Sequence, residues 1–226
     1  MDTALKDSPV ETEAKVSRIV LERGQLLDLL TGTSLAVASP SVNLPTLECV
    51  WLEVKGTRLI VAATDRYRLI TGSVVTQEVS GDVEQFGLPI EHVRNLILAL
   101  KVKNNIVNTV TVEIDGTVGK RFVTVWLGLE HKESTPALRF PAHEGGQFPP
   151  YEHLFDKEVA PVSKMAFNPT FLWVLSKIPQ SKIKVGTGTL FVTFHGDGKP
   201  VVYVVPHDSI SWRALLMPMK YPTEKE

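Results

Sequence analysis

The sequence predicts an α+β protein made of three similar units, each a strand, a helix and three further strands, with the helices on one face of antiparallel sheet. Three observations carry this. One segment pattern occurs three times along the chain. Alternating apolar runs with hairpin-turn residues follow each predicted helix. The composition is that of a globular domain: 226 residues, 43% hydrophobic and 22% charged, with a formal net charge of −1.

The first unit opens with "SRIVLERGQLLDLLTG", Ser17 to Gly32. A short strand leads into a helix whose apolar residues, Leu26, Leu27, Leu29 and Leu30, recur at helical spacing. A hairpin turn follows at Lys55-Gly56. The next apolar run, Leu59 to Ala63, stops at Thr64-Asp65-Arg66-Tyr67-Arg68 and resumes at Leu69-Ile70. That interruption reads either as a strand ending in a surface turn or as side chains that serve a site.

The second unit opens with "QFGLPIEHVRNLILALK", Gln85 to Lys101. Pro89 suits a first helical turn, where a missing N–H costs nothing. Val93, Leu96, Ile97 and Leu100 form the apolar stripe, and Asp115-Gly116 marks the hairpin in "TVTVEIDGTVGKRFVTVWL". The third opens with "KMAFNPTFLWVLSKI", Lys164 to Ile178. Asn168 is a good N-cap before Pro169. Leu172, Val174, Leu175 and Ile178 form its stripe, and Gly196-Asp197-Gly198 its turn. Leu21, Leu88 and Phe167 are expected to be equivalent, as are Leu26, Val93 and Leu172. Between the second and third units, Glu130 to Ser163 is rich in Pro and His and reads as a linker. The expected division is a tail (1–15), a domain of two units (16–80 and 82–140, with linker to 150), a third unit (151–220) and a second tail (221–226).

Several function classes lose ground on the same residues. The apolar runs fall short of the ~20 residues of a membrane span. The N-terminal stretch lacks the apolar centre of a signal peptide. The single cysteine, Cys49, excludes an internal disulfide and is expected in a buried strand. These features point to the cytoplasm. The six histidines show no H-x-x-x-H or H-E-x-x-H spacing. His207-Asp208-Ser209 lacks a nucleophile elbow, and "GTGTL" at Gly186 to Leu190 lacks the length and lysine of a phosphate loop. Asp65, Asp115 and Asp197 each fall in a turn, the common place for Asp. No enzyme, metal or cofactor is expected. Trp173 is expected in a core or a subunit contact.

Four motifs in order resemble the bacterial sliding clamp, the DNA polymerase III beta subunit. "VAATDRYRL" is similar to that family's "ATDGHRL" signature, and "GQFPPYEHLF" to the "FPDY" linker into its last domain. "FNPTFLWVLSKI" looks like its last helix, and "LLMPMK", Leu215 to Lys220, resembles its terminal "VMPMR". The resemblance runs from about Ser17 to Lys220, with departures. The family has three domains of two units each. The three units here match both halves of its middle domain and the second half of its last. Arg66 and Tyr67 replace Gly-His, and the chain continues past Met219 to Glu226. A shortened, phage-type clamp fits this pattern.

The resemblance implies a DNA clamp fold, with antiparallel sheets outside and helices inside, that encircles double-stranded DNA and acts as a processivity factor. Helix-borne cations would meet phosphates through water; candidates are Arg23, Arg94, Lys101, Lys103, Lys177, Lys182 and Lys184. It also implies a groove for short peptides of the DNA polymerase and clamp loader. The first unit would supply Leu47, Thr64, Arg66, Tyr67, Arg68 and Leu69. The linker would supply Pro149, His153 and Leu154, and the last unit Leu215, Met217, Pro218 and Met219. A ring of twelve units would take four copies of this chain, a homotetramer. The alternatives are a non-ring module that competes for clamp-binding proteins and a DNA-binding regulator.

Overall fold

A computed structural model describes residues 16–81, 85–101, 108–117, 119–128, 138–143, 145–180 and 188–220. The first stretch runs β1 (Ser17–Glu22), α1 (Arg23–Ser34), β2 (Cys49–Lys55), β3 (Arg58–Thr64), β4 (Arg68–Val75) and β5 (Glu78–Ser80). The second runs β6 (Phe86–Pro89), α2 (Ile90–Lys101), β7 (Thr109–Asp115), β8 (Phe122–Leu127) and β9 (Leu138–Pro141). The third holds α3 (Pro169–Leu175), β10 (Phe191–Thr193), β11 (Val201–Val205) and β12 (Ser211–Leu216).

The helices form where the stripes predict them. Glu22 and Gln25 make a reciprocal capping box at the start of α1, and the Asn168 side chain caps α3 by accepting from the Thr170 N–H. The strands build two antiparallel sheets, ordered β5-β1-β7-β8-β9 and β10-β11-β12-β4-β3-β2-β6. The units are interlocked. β1 pairs with β7 of the second unit as well as with β5 of its own, and β6 pairs with β2 of the first. α1 packs on α2 and lies across β3 and β4.

Alternation along the strands sorts side chains onto two faces. Val50, Leu52, Val61, Ala63, Tyr203 and Ala214 join the helices in one large core. The opposite face of the seven-stranded sheet carries Cys49, Trp51, Ala62, Leu69, Val202 and Leu215, covered by Phe148, Tyr151 and Phe155. The sheet passes from the third unit to the first through β12 and β4, six residues in antiparallel register from Ser211↔Ser73 to Leu216↔Arg68. Trp212 fastens this seam. A Cβ built on Gly32 would lie 3.0 Å from its Cζ2 and Cζ3 and closer still to Cη2, and one built on Gly72 would lie 2.6 Å from Cζ3. Both glycines are therefore the niche that admits the indole.

The structure corrects three expectations. In α3 the buried stripe is Val174, Leu175 and Ile178, with Phe171 packed beside it, so Phe171 and not Leu172 is the counterpart of Leu26 and Val93. Leu172 is exposed, and Trp173 is 61% exposed. The first strand of the third unit is reduced to a bridge between Ala166 and Met219, because no neighbouring strand among the described residues extends it. The stretch read as linker contributes β9, which pairs with β8. Cys49 stands at the start of β2 and is 2% exposed; burial, and secondly Glu48, push its thiol up to about 12.

Candidate functional site

The interrupted run at 64–68 is the hairpin between β3 and β4. The Thr64 hydroxyl donates to the Arg68 carbonyl (2.7 Å) and accepts from the Arg66 N–H (3.2 Å). One Asp65 carboxylate oxygen accepts from the N–H groups of Tyr67 (3.0 Å) and Arg68 (2.9 Å). The other accepts from Arg68 Nε at 2.9 Å. The acid is thus consumed in building the turn, and it aims Arg68. Arg66 takes φ 79°, the left-handed region where the resembled signature has glycine.

That hairpin reaches the third unit. The Arg68 guanidinium lies 4.8 Å from the centroid of the Phe171 ring, and Tyr67 stacks on the same ring at 6.2 Å. The Met217 N–H donates to the Tyr67 carbonyl at 2.8 Å. Arg68 Nη1 is buried and has no hydrogen-bond partner among the described residues.

The linker forms the opposite wall. Trp51 donates its indole N–H to the Thr46 carbonyl at 2.7 Å, which fixes the ring on the sheet. Phe148 packs on Trp51, Tyr151 on Phe148 and Phe155 on Tyr151, at centroid distances of 6.0, 5.5 and 6.2 Å. The Arg213 guanidinium lies 4.2 Å over Phe155. Burial pushes the Tyr151 hydroxyl up to about 12, so it stays neutral in its aromatic stack. Outside, Lys55 Nζ meets Glu152 at 2.7 Å, a hydrogen-bonded pair that raises the lysine and holds the carboxyl below its usual range.

Between hairpin, linker and β12 lies a mainly apolar groove of about 100 Å³. Of the residues named from sequence, Thr64, Arg66, Tyr67, Arg68, Leu69, Pro149, Leu154, Leu215 and Met217 line it. Pro218 and Met219 line a second hollow that shares Tyr67 and Met217 with the first. Leu47 and His153 are not brought to the groove. Leu47 is buried, its carbonyl accepting from the Ala38 N–H, and His153 lies in an adjoining hollow with Glu53 and Lys55 that shares Phe148, Pro149, Pro150 and Tyr151 with the groove. Sequence reasoning missed Phe148, Pro150, Tyr151 and Pro200 in the groove and Asn168 and Phe171 in the second hollow. The aromatic spacing of "FPPY" could have marked the first three; Pro200 and Phe171 carry no local signal.

Among the cationic candidates, Arg23 and Lys101 line one hollow where the start of α1 meets the end of α2. Arg94 is exposed on α2, on a face that also carries the exposed Glu91. Lys177 follows α3 and places its ammonium 4.8 Å from the Trp173 ring centroid. Lys103, Lys182 and Lys184 lie outside the described residues.

The sequence matches no protein-family model and no curated protein. Solved structures do match. The DNA polymerase III beta subunit of Thermotoga maritima superposes with a TM-score of 0.66 at 15% identity, over 97% of this chain and 69% of that one. The DNA polymerase sliding clamp of Pseudomonas aeruginosa gives 0.68 at 17% identity, over 90% and 67%. The DNA polymerase III beta chain of Streptococcus pneumoniae gives 0.68 at 15%, over 96% and 67%. The three helices and two antiparallel sheets of the described residues are consistent with that fold. The chain therefore has the DNA clamp fold of the DNA polymerase III beta subunits, and it spans about two thirds of their length.

Proposed function

We propose that this protein is a non-catalytic, cytoplasmic sliding clamp that encircles duplex DNA and holds polymerase and clamp-loader peptides in the groove between its first and third units. One observation carries this reading: three segments far apart in sequence, at 64–69, 148–154 and 215–217, meet around one apolar groove. Leucine, methionine and aromatic walls suit a peptide's leucine or phenylalanine anchor, since thioether and ring surfaces adapt to its shape. Arg68, held by Asp65 and stacked over Phe171, fixes the shape of one wall. The cations on α2 and α3 would face DNA phosphates across water, and four copies would complete the ring.

A second reading has its own support. The groove needs only the first and third units and the linker, so it stands without a ring. In that case the protein would compete for peptides that other clamps bind.

The test joins both. Short peptides with leucine or phenylalanine anchors, selected from a library on the wild-type protein, are measured by fluorescence anisotropy. Met217→Glu should weaken them at least about tenfold, the loss of one buried anchor contact. Peptides that bind both proteins equally would reject the groove. Retention on a nicked circle that disappears when the DNA is cut supports the ring; groove binding with no retention supports the competitor.

A further inference from the structure

The repeat shows how these units complete one another. In the first two, each unit's opening strand has two neighbours. On one side is its own unit's closing segment: β1 beside β5, and Gly87 of β6 bridged to His143. On the other is the first post-helix strand of the other unit: β1 beside β7, and β6 beside β2. The exchange is reciprocal, and α1 packs on α2 beneath it.

The third unit keeps half of this arrangement. Its opening segment bridges its own closing segment through Ala166 and Met219, and the Met219 N–H donates to the Ala166 carbonyl at 2.8 Å. Its first post-helix strand, β10, ends the seven-stranded sheet with an edge that is open among the described residues. The linker touches that edge only beyond the strand, where the Ala160 N–H donates to the Phe194 carbonyl at 3.1 Å. Both halves of a strand exchange are thus present, and neither is used among the described residues.

The side chains repeat the message. Leu27 of α1 shares a hollow with Leu100 and Lys101 of α2. Leu172, its counterpart on α3, is exposed, as are Trp173 (61%) and Phe191 (60%). Val192, on the core-facing side of β10, is exposed as well, while Phe191 and its cross-strand neighbour Val204 lie on the opposite face of the same strand pair. Large apolar groups left out along one open edge mark a surface that is covered in the working protein.

We propose that the third unit dimerises with the third unit of a second copy, each lending its Met165–Phe167 segment to the β10 edge of the other, with the two α3 helices packed together. A second copy is the occupant because the exchange seen between the first two units is two-fold in character. A body that offers both a matching opening strand and a matching open edge is another third unit. Parity sets the register. Val192 lies opposite Tyr203, which faces the large core. It therefore comes opposite the partner copy's core-facing Met165 or Phe167, as Val50 and Leu52 come opposite Leu88 and Phe86. The inference rests on the internal repeat and is independent of the DNA reading.

The test uses the full chain. Sedimentation equilibrium at micromolar concentration should give at least twice the 25.0 kDa chain mass. The double variant Leu172→Glu, Trp173→Glu should raise the dissociation constant about a hundredfold or more, as expected for two apolar anchors buried between the α3 helices, with an unchanged far-UV spectrum. Oxidising a mixture of Val192→Cys protein with Phe167→Cys or Met165→Cys protein should give a mixed disulfide species; Val159→Cys in place of Val192→Cys should not. A wild-type monomer at these concentrations overturns the proposal. So does an oligomer that survives the double variant, or one whose paired cysteines never cross-link, since another face would then hold the copies together. A dimer that fails to retain DNA leaves this proposal standing and removes the ring.

Discussion

Gly32→Ala sets two physical effects against each other at a place where the structure decides the sign. Gly32 lies inside α1, where alanine is favoured over glycine by about 1 kcal/mol of helix propensity. Propensity alone predicts a more stable protein. The added Cβ, however, would meet Trp212 Cζ2 and Cζ3 at 3.0 Å, with Cη2 nearer. Ordinary carbon contacts lie at about 3.5–4.0 Å. The indole has no retreat, because its other face rests on Gly72, where a Cβ would find Cζ3 at 2.6 Å. Overpacking of this kind costs about 1–3 kcal/mol, so after the gain in propensity the net expectation is a loss of about 1 kcal/mol, within about 0–2. Trp212→Leu removes the clashing atoms. In that background Gly32→Ala should turn stabilising by up to about 1 kcal/mol, a coupling of about 2 kcal/mol or more. Urea unfolding of the four proteins, with constant m-values, measures the cycle. A stabilising Gly32→Ala in the wild type, or equal effects in both backgrounds, refutes the account of the seam.

Three other outcomes follow from the same coordinates. Arg66→Gly should raise stability in urea by about 0.5 kcal/mol, since relief of the left-handed backbone outweighs glycine's extra unfolded freedom; Arg66→Val should lower it, and the reverse order contradicts the φ of 79°. Cys49, buried and with its thiol raised to about 12, should react with a thiol reagent at pH 8 far more slowly than in urea, and equal rates would contradict the burial. The Glu152 carboxyl is lowered by Lys55, so the pair stabilises above the ordinary carboxylate range and is lost as pH falls through the folded value. Glu152→Gln should therefore cost under about 1 kcal/mol at pH 7, as an exposed pair does, and nothing near pH 2; a cost that persists in acid would place the effect elsewhere.

Local chemistry explains why some of this was legible in the sequence. Apolar spacing in α1 and α2, the Asn168-Pro169 start and the glycine turns are each written in a few adjacent residues. The groove was legible only through resemblance. Alone, "TDRYR" reads as a turn, and it is one; its partners Phe148 and Met217 are far along the chain. The misreading of α3 has a physical source. One residue fewer separates Phe167 from the buried stripe, so Leu172 inherits the wrong face. For Trp173 periodicity leaves core and subunit contact open, and its 61% exposure excludes the core of this chain. β9 hid in a Pro-rich stretch because pairing with β8 overrides its weak strand composition.

The seam from β12 to β4 has a mechanical side. Leu215 and Met217 continue straight from a strand that is laddered to the hairpin bearing Arg68 and Leu69. Force applied to a seated peptide would run along these strands and load every rung of the ladder at once, in shear, where unzipping would strain only the outermost. The cradle would hold its shape under tension, and a towed guest would let go before the cradle tears.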